Sequence, residues 1–402
     1  MADSNAIPRK PEPDAEPGWL LRLEARLGLL DPVQLVVFRS FGTPDALHLW
    51  GRVVEKKGVE GTTEKTSTWQ NVLNTLHRLE STEIPGAHVR ARFQGKSWDT
   101  TSDAEGYFVL NVDPPEALAP GWHEVELELV DSVGEPAERV TRERVLVPSP
   151  DAEFAVVSDV DDTVVLTRST ELFRQLAILF GDGARSRVPF PGVPALYRAL
   201  ARGPDDRGDN PVFYVSMSGW NLYDLLEEFL DLNDIPPGPL FLSDLRLVEK
   251  PSAVMGSRNH KFENIDILLR TYPELPFVLV GDSGMHDPEL YAGVVKAHPG
   301  RIRAVYIHDV SPPGRDREVE EVARFLEAQG VPMLRVGSAR EAAEHAQAQG
   351  LISRSGLEEV QREVERQEAQ DPADREQPPE LAGGSRRPAP RSPGPTPDRK
   401  GR

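Results

Sequence analysis

Three carboxylates and a hydroxyl crowd into five residues at Asp159-Val160-Asp161-Asp162-Thr163, directly after the apolar run Phe154–Ser158. A buried strand excludes ionised groups, so the cluster belongs at its C-terminal end. Open parallel sheets bind ligands at that edge. There Asp159 and Asp161 can face one cation. Mg²⁺ suits such a place, because it takes a few carboxylates together with water and a phosphate oxygen. One acid alone would read as a helix N-cap. A second acidic element, Gly281-Asp282-Ser283-Gly284-Met285-His286-Asp287, follows the apolar run Phe277–Val280 in the same way. Asp282 and Asp287 stand five apart in a glycine-bearing loop that leads into a helix at Pro288. Loop capping would explain one such loop. Paired acids at two strand ends point to a shared site.

Two further residues could serve an anion. Ser216 ends the strand-like Phe213–Ser216 and is followed by Met217, Ser218, Gly219 and a helix from Asn221. A hydroxyl and backbone N–H groups at a helix start suit a phosphate oxygen, and a lone Ser there also suits a cap. Lys261, next to His260, is expected to open the helix Phe262–Leu269. The helix dipole disfavours a cation at that end, so a lysine there asks for another use.

The elements that must position these residues fall into two sets. Short runs at 33–39, 47–54, 87–93, 106–112, 122–130 and 139–147 are rich in β-branched and aromatic residues, and the last two alternate with polar ones. These predict six strands of an all-β, sandwich-like domain over 18–150. Residues 18–30 carry apolar positions at helical spacing and predict a leading amphipathic helix. It either caps the domain or lies on a membrane surface. Residues 65–79 suggest a helical insertion.

Beyond Pro148, continuous apolar runs at 154–157, 212–215, 240–242, 277–280, 304–307 and 331–336 alternate with helix candidates near 170–180, 193–202, 221–231, 262–270, 288–297, 317–329 and 339–349. That alternation predicts a parallel α/β sheet covered on both faces, over 151–352. Residues 1–17 read as a disordered lead. Residues 353–402 read as a tail, charged at first and then Pro- and Arg-rich and disordered. Its last stretch, 385–402, holds six basic residues against one Asp.

Composition sets outer limits. The 402 residues carry 46 Lys and Arg against 65 Asp and Glu, a formal charge of −19. A field of that sign repels nucleic acid and anionic lipid, so an anionic substrate needs a local cation. The chain contains no cysteine, which excludes thiol catalysis, disulfides and cysteine-ligated metals. No apolar window approaches the length of a transmembrane helix, and the first residues lack the apolar core of a secretory signal. A cytoplasmic protein, in contact with a membrane at most peripherally, is expected.

The order D-x-D-x-T, then Ser, then Lys, then G-D-x4-D resembles the four-motif series of the haloacid dehalogenase-like phosphohydrolases. Tyr214–Leu226 (YVSMSGWNLYDLL), His260–Leu269, Gly281–Tyr291 (GDSGMHDPELY) and Arg303–Val310 (RAVYIHDV) narrow it. Over about 150–335 the chain is similar to the bacterial and fungal App1 family of phosphatidate phosphatases. The resemblance implies a Rossmann-like three-layer catalytic domain. It implies Asp159 as nucleophile and Asp161 as general acid and then base. Thr163 would support the loop, and Ser216 and Lys261 would hold phosphoryl oxygens. Mg²⁺ would be bound by Asp159, Asp161 (through its carbonyl), Asp282 and Asp287. Phosphatidate, cleaved to diacylglycerol and phosphate, is the implied substrate. The alternatives are a soluble phosphomonoester, or a non-catalytic protein that docks a lipid or a partner. The chain departs from the family at Met217, usually Asn, and at His308, usually Arg, where a permanent cation gives way to a titratable one. About fifty residues separate the first two motifs, too few for a large cap domain. The apolar segment Leu172–Phe180 within them is either core or a grip for acyl chains.

Overall fold

The computed structural model describes residues 17–56, 82–160, 191–243, 253–284, 286–310 and 315–370. Asp161, Thr163, Leu172–Phe180 and the insertion read at 65–79 lie outside the described residues.

In the N-terminal half a short helix, α1 (Trp19–Arg26), precedes eight strands. These are β1 (Val33–Val37), β2 (Ser40–Thr43), β3 (Ala46–Glu55), β4 (His88–Phe93), β5 (Lys96–Thr101), β6 (Tyr107–Val112), β7 (Gly121–Asp131) and β8 (Val140–Val147). They hydrogen-bond in the order β1-β3-β2-β8-β7-β4-β5, with β6 on the other edge of β3. Thr100 Oγ1 on β5 donates to the Val109 carbonyl on β6 at 3.1 Å, so the far ends of the path meet around one core. The alternation seen in sequence does this: Val125, Leu127 and Leu129 of β7 point inward with Val89, Leu49 and Phe108.

Two of these strands escape the sequence reading. The β5 segment, KSWDTT, has no buried face to advertise it. It is placed by the two-residue turn Gln94-Gly95, whose φ values of 45° and 75° suit a tight hairpin. The other, β2, is set off from β1 by Phe38-Arg39. It needs Gly42, because a Cβ there would stand 2.4 Å from the Ala46 carbonyl oxygen.

The second half is a six-stranded sheet, every neighbouring pair parallel. Its strands are β9 (Ala155–Asp159), β10 (Val212–Gly219), β11 (Leu240–Ser243), β12 (Phe277–Asp282), β13 (Ile302–His308) and β14 (Met333–Val336). Its helices are α2 (Val193–Arg202), α3 (Tyr223–Leu232), α4 (Ala253–Thr271), α5 (Asp287–Ala297), α6 (Asp316–Ala328), α7 (Ala339–Ala348) and α8 (Arg354–Gln370). Alternate residues of each strand enter opposite cores. Val156, Tyr214, Val278 and Tyr306 pack with residues of α2, α3, α7 and α8, while Val157, Phe213, Leu279 and Ile307 pack with α4, α5 and α6. The strand order is β11-β10-β9-β12-β13-β14, so the direction of winding reverses between β9 and β12. A crevice at that point is where open parallel sheets bind ligands.

Two expectations need correction. The helix read at 262–270 begins at Ala253, so Lys261 lies in mid-helix and the dipole argument does not apply to it. The helix shows little amphipathic periodicity, which hides this start. Part of the segment read as tail is also helical. In α8, Val360 and Val364 are buried against α2, and Arg198 of α2 pairs with Glu359 and Glu363. A helix this rich in charge reads as solvated until its ion-pair partners, some 160 residues away, are known.

The halves share packing. Phe41 of β2 meets Phe213, Phe241 and Tyr272, and Trp50 stacks on Phe241 at 5.0 Å. Arg39, 2% exposed, donates its backbone N–H to the Tyr223 hydroxyl at 2.6 Å, and its Nε lies 2.5 Å from Glu227.

Candidate active site

The site begins with strand register. Asp159, last residue of β9, pairs with Val215 of β10, so Ser216 stands one residue further along the neighbouring strand. On the other side Ser158 pairs with Val280, and Asp282 projects two residues beyond that level. Three consecutive positions in the sheet order thus deliver Ser216, Asp159 and Asp282 to one edge. Asn210 fixes the entry of β9, its Oδ1 accepting the N–H groups of Glu153 and Phe154 at 2.9 and 3.3 Å. At the exit, the Ser158 hydroxyl donates to the Asp159 carbonyl and meets the Tyr197 hydroxyl of α2.

Asp159, Asp282 and Asp287 are 1%, 0% and 2% exposed. Each offers a carboxylate oxygen to a cluster whose members lie within 4.8 Å of one another. Lys261 Nζ, on α4, stands 3.0 Å from Asp159 Oδ1 and 3.0 Å from Asp287 Oδ1. Asp159 Oδ1 also accepts the Val160 N–H at 2.9 Å. Among the described residues the cluster holds three carboxylates against this one ammonium. Three hard oxygen donors in a small space fit Mg²⁺.

The loop after β12 folds so that its two acids meet. Asp287 opens α5, where the helix dipole favours an anion, and its Oδ2 accepts the Asp282 N–H at 3.3 Å. Asp282 Oδ1 accepts the Gly284 N–H at 2.7 Å. Gly281 leaves the space this needs, since a Cβ there would lie 2.5 Å from Asp287 Oδ2 and 2.8 Å from the Tyr291 hydroxyl. Tyr291 is fully buried beneath the acids and donates to the Val280 carbonyl at 2.8 Å. Burial, with Asp287 and Asp159 nearby, holds its phenol well above the ordinary value, so it keeps its proton.

Ser216 is buried, and its Oγ accepts the Ser218 N–H at 2.9 Å, where the β10–β11 register breaks between Val215 and Gly219. The contact lies within β10, and the helical turn that follows is capped at Gly219 with no side-chain bond, so Ser216 does not cap a helix; it stands beside the level of Asp159. Asp161 and Thr163 follow Val160 outside the described residues. The structure therefore brings together Asp159, Asp282, Asp287 and Lys261, with Ser216 on the adjoining strand.

Two parts of the site lie in segments quoted above but were given no role there. One is Tyr291, whose place three residues after Pro288 puts it over Asp287's turn. The other is a latch from β13. Ser283 N–H donates to the His308 carbonyl at 2.9 Å, and Ser283 Oγ accepts the Val310 N–H at 3.0 Å. The signal for the latch was the hydrophobic run ending in His308-Asp309-Val310, which ties the acidic loop to the next strand. His308 itself is 9% exposed, and desolvation lowers its pKa to about 4. The residue expected as a titratable cation in place of Arg is thus neutral near neutral pH.

Residues 154–309 match the family model described as phosphatidate phosphatase APP1, catalytic domain. The segment is similar to that catalytic domain. Phosphatidate phosphatase APP1 of Saccharomyces cerevisiae is 35% identical over 190 residues, which cover 45% of this chain and 31% of the yeast protein. An uncharacterized protein of Schizosaccharomyces pombe is 25% identical over 225 residues, 53% of this chain and 34% of that one. The chain thus spans about a third of the length of the curated relatives it matches. Every described member of the acidic cluster falls inside the matched segment, and so do Ser216, Lys261 and the His308–Asp309 end of the latch. Among solved structures, a carbohydrate acetylesterase from Xanthomonas citri aligns at a TM-score of 0.23 and 12% identity, over 71% of this chain and 72% of that one, a likeness too loose to bear on fold or activity.

Proposed function

We propose that the chain is a phosphomonoester hydrolase of the haloacid dehalogenase type that cleaves phosphatidate to diacylglycerol and phosphate. The observation that carries this reading is the Asp159–Lys261–Asp287 bridge beside Asp282, buried at the sheet edge in an App1-like segment. The strand order β11-β10-β9-β12-β13-β14 supports a Rossmann-like arrangement, the first strand of the unit standing at its centre.

In this reading the Asp159 carboxylate attacks phosphorus. The bond from phosphorus to the glycerol oxygen breaks, and Asp161 passes a proton to the departing oxygen. Asp161 then takes a proton from the water that attacks the aspartyl-phosphate, which frees phosphate and restores Asp159. Lys261 offsets the charge that spreads over the phosphoryl oxygens, and the Ser216 hydroxyl and nearby N–H groups hold one of them. Asp159, Asp282 and Asp287 would hold Mg²⁺, with the Asp161 carbonyl, and the ion would screen the repulsion between carboxylate and phosphate. The buried Tyr291, which keeps its proton, lies beside the acids without adding charge.

The test is phosphate release from phosphatidate in mixed micelles, with Mg²⁺ and with chelator, beside a water-soluble phosphate ester. Metal-dependent turnover that favours the lipid is expected. Turnover of the soluble ester alone would keep the chemistry and remove the lipid. No turnover of either would bring forward a non-catalytic docking protein.

A further inference from the structure

Five of the eight large apolar side chains exposed among the described residues lie in Trp19–Leu29. Trp19, Leu20, Leu23 and Leu27 are 72%, 55%, 45% and 63% exposed. At about 100° per residue these four fall within roughly 100° of arc on α1 and its first following residue. Leu21, the buried residue of the helix, points away from that arc toward the β-rich core. Arg22 and Arg26, both exposed, run along one border of the apolar stripe, and Glu24 stands on the other. Leu29, beyond Gly28, is 69% exposed. The helix thus buries one narrow edge and turns its widest apolar face outward.

The dimensions of the face limit what can cover it. Eight residues make a helix about 12 Å long. A stripe of that length offers far less than the roughly 1,000 Å² that a stable protein interface buries. A bilayer sets no such minimum. Trp beside Leu on one face, with Arg at the border, is the pattern of a helix lying in the plane of a membrane surface. The arginines complement anionic headgroups, in a chain whose net charge of −19 otherwise opposes them.

We propose that α1 is an interfacial anchor. Its Trp19, Leu20, Leu23 and Leu27 enter the boundary between headgroups and acyl chains of an anionic bilayer, with Arg22 and Arg26 at the level of the phosphates. The choice of a bilayer as occupant rests in part on the phosphatidate reading, since that substrate resides in one. Apolar insertion carries most of the affinity, because the field of the whole chain works against the charge term.

The experiment is flotation of the full chain with vesicles of phosphatidylcholine containing phosphatidylserine, and with phosphatidylcholine alone. Neither lipid is the proposed substrate. The wild type should float with the mixed vesicles. The double variant Leu23→Glu, Leu27→Glu should lose roughly tenfold or more in binding, since charged residues replace the inserted ones. Arg22→Glu with Arg26→Glu should lose less, and chiefly the preference for phosphatidylserine. All three proteins should turn over the soluble phosphate ester equally. A wild type that stays with the unbound fraction would overturn the proposal, as would a Leu23→Glu, Leu27→Glu protein that floats as well as its parent. So would a change of oligomeric state in that variant by light scattering, which assigns the face to a second copy. A fall of several degrees in its melting temperature would assign the face to another segment of this chain. Flotation with no phosphatidate turnover would leave the anchor and remove the substrate, and the converse result would do the opposite.

Discussion

At Asp159 one carboxylate oxygen already serves two donors, the Val160 N–H and the Lys261 ammonium. That fixes the side chain before any substrate arrives, which is what an attacking group needs. In the proposed mechanism Asp159→Asn keeps the size and loses the nucleophile. Turnover should fall by roughly a thousandfold or more, with the circular dichroism spectrum unchanged. Retained activity in that protein would end the mechanism. Gly281 is a subtler test, because its Cβ would press on Asp287 Oδ2 and on Tyr291 together. Gly281→Ala should cost about 1–3 kcal/mol of stability and lower kcat about tenfold or more by moving the acid. A thermal melt read beside steady-state kinetics checks both, and a normal kcat would show that Asp287 tolerates the shift. At this scale Asp159, Asp282 and Ser216 stand out in the sequence as polar residues at the ends of apolar runs, whereas Lys261 follows a polar stretch and was singled out by a helix-start argument that its mid-helix place removes. Lys261's bridging was not legible, since nothing in the sequence gives the reach of α4 toward β9. Nor was the neutrality of His308, which follows from burial that only the packed sheet creates.

Among the elements, the continuous apolar strands were legible from the sequence, and the elements that lack a one-sided pattern were not. The α8 helix is the clearest case. Its charged residues hide two buried valines and the partners of Arg198 and Arg202. Val364 also packs where Gly192 has no side chain, at the head of α2. Removing 371–402 should leave the melting temperature and soluble-ester turnover unchanged. A chain stopped at 353 should lose stability by about 3–6 kcal/mol, the worth of burying two valines, with the ion pairs adding to it. Equal melting temperatures for the two truncations would show that α8 contributes nothing. The missed β5 has a similar origin, since a hairpin turn rather than an apolar face sets it in place.

At the scale of the whole molecule the two halves meet through charge as well as through rings. Glu143 of β8 is half-buried, and burial, with Glu227 nearby, raises its pKa to about 7. The folded state therefore holds a proton that the unfolded chain releases near 4.5, the ordinary value. Between those values the native form binds more protons, so this group costs stability as pH rises toward and past 7. Glu143→Gln should raise stability at pH 8 by about 1–2 kcal/mol, a few degrees in melting temperature, and should change little at pH 4. An equal effect at both would place the cause outside this carboxyl. The division into a β-rich and an α/β half was legible from the switch in periodicity after Pro148. Their mutual burial was not, because Arg39, Phe41 and Trp50 belong by sequence to one half and by packing to the other.

That shared packing bears on how the protein comes apart. Phe41 sits in the same apolar cluster as Phe213, Phe241 and Tyr272, and the Tyr272 hydroxyl donates to the Gly42 carbonyl at 3.0 Å. Neither half can loosen without uncovering aromatic surface on the other, so the two should melt as one cooperative unit. Calorimetry of the full chain should give a single transition with equal calorimetric and van't Hoff enthalpies. An isolated α/β half would carry Phe213, Phe241 and Trp220 into water and associate through them. The join near residue 150 is a boundary of topology, and the seam of Arg39, Phe41 and Trp50 makes the protein indivisible as a folding unit.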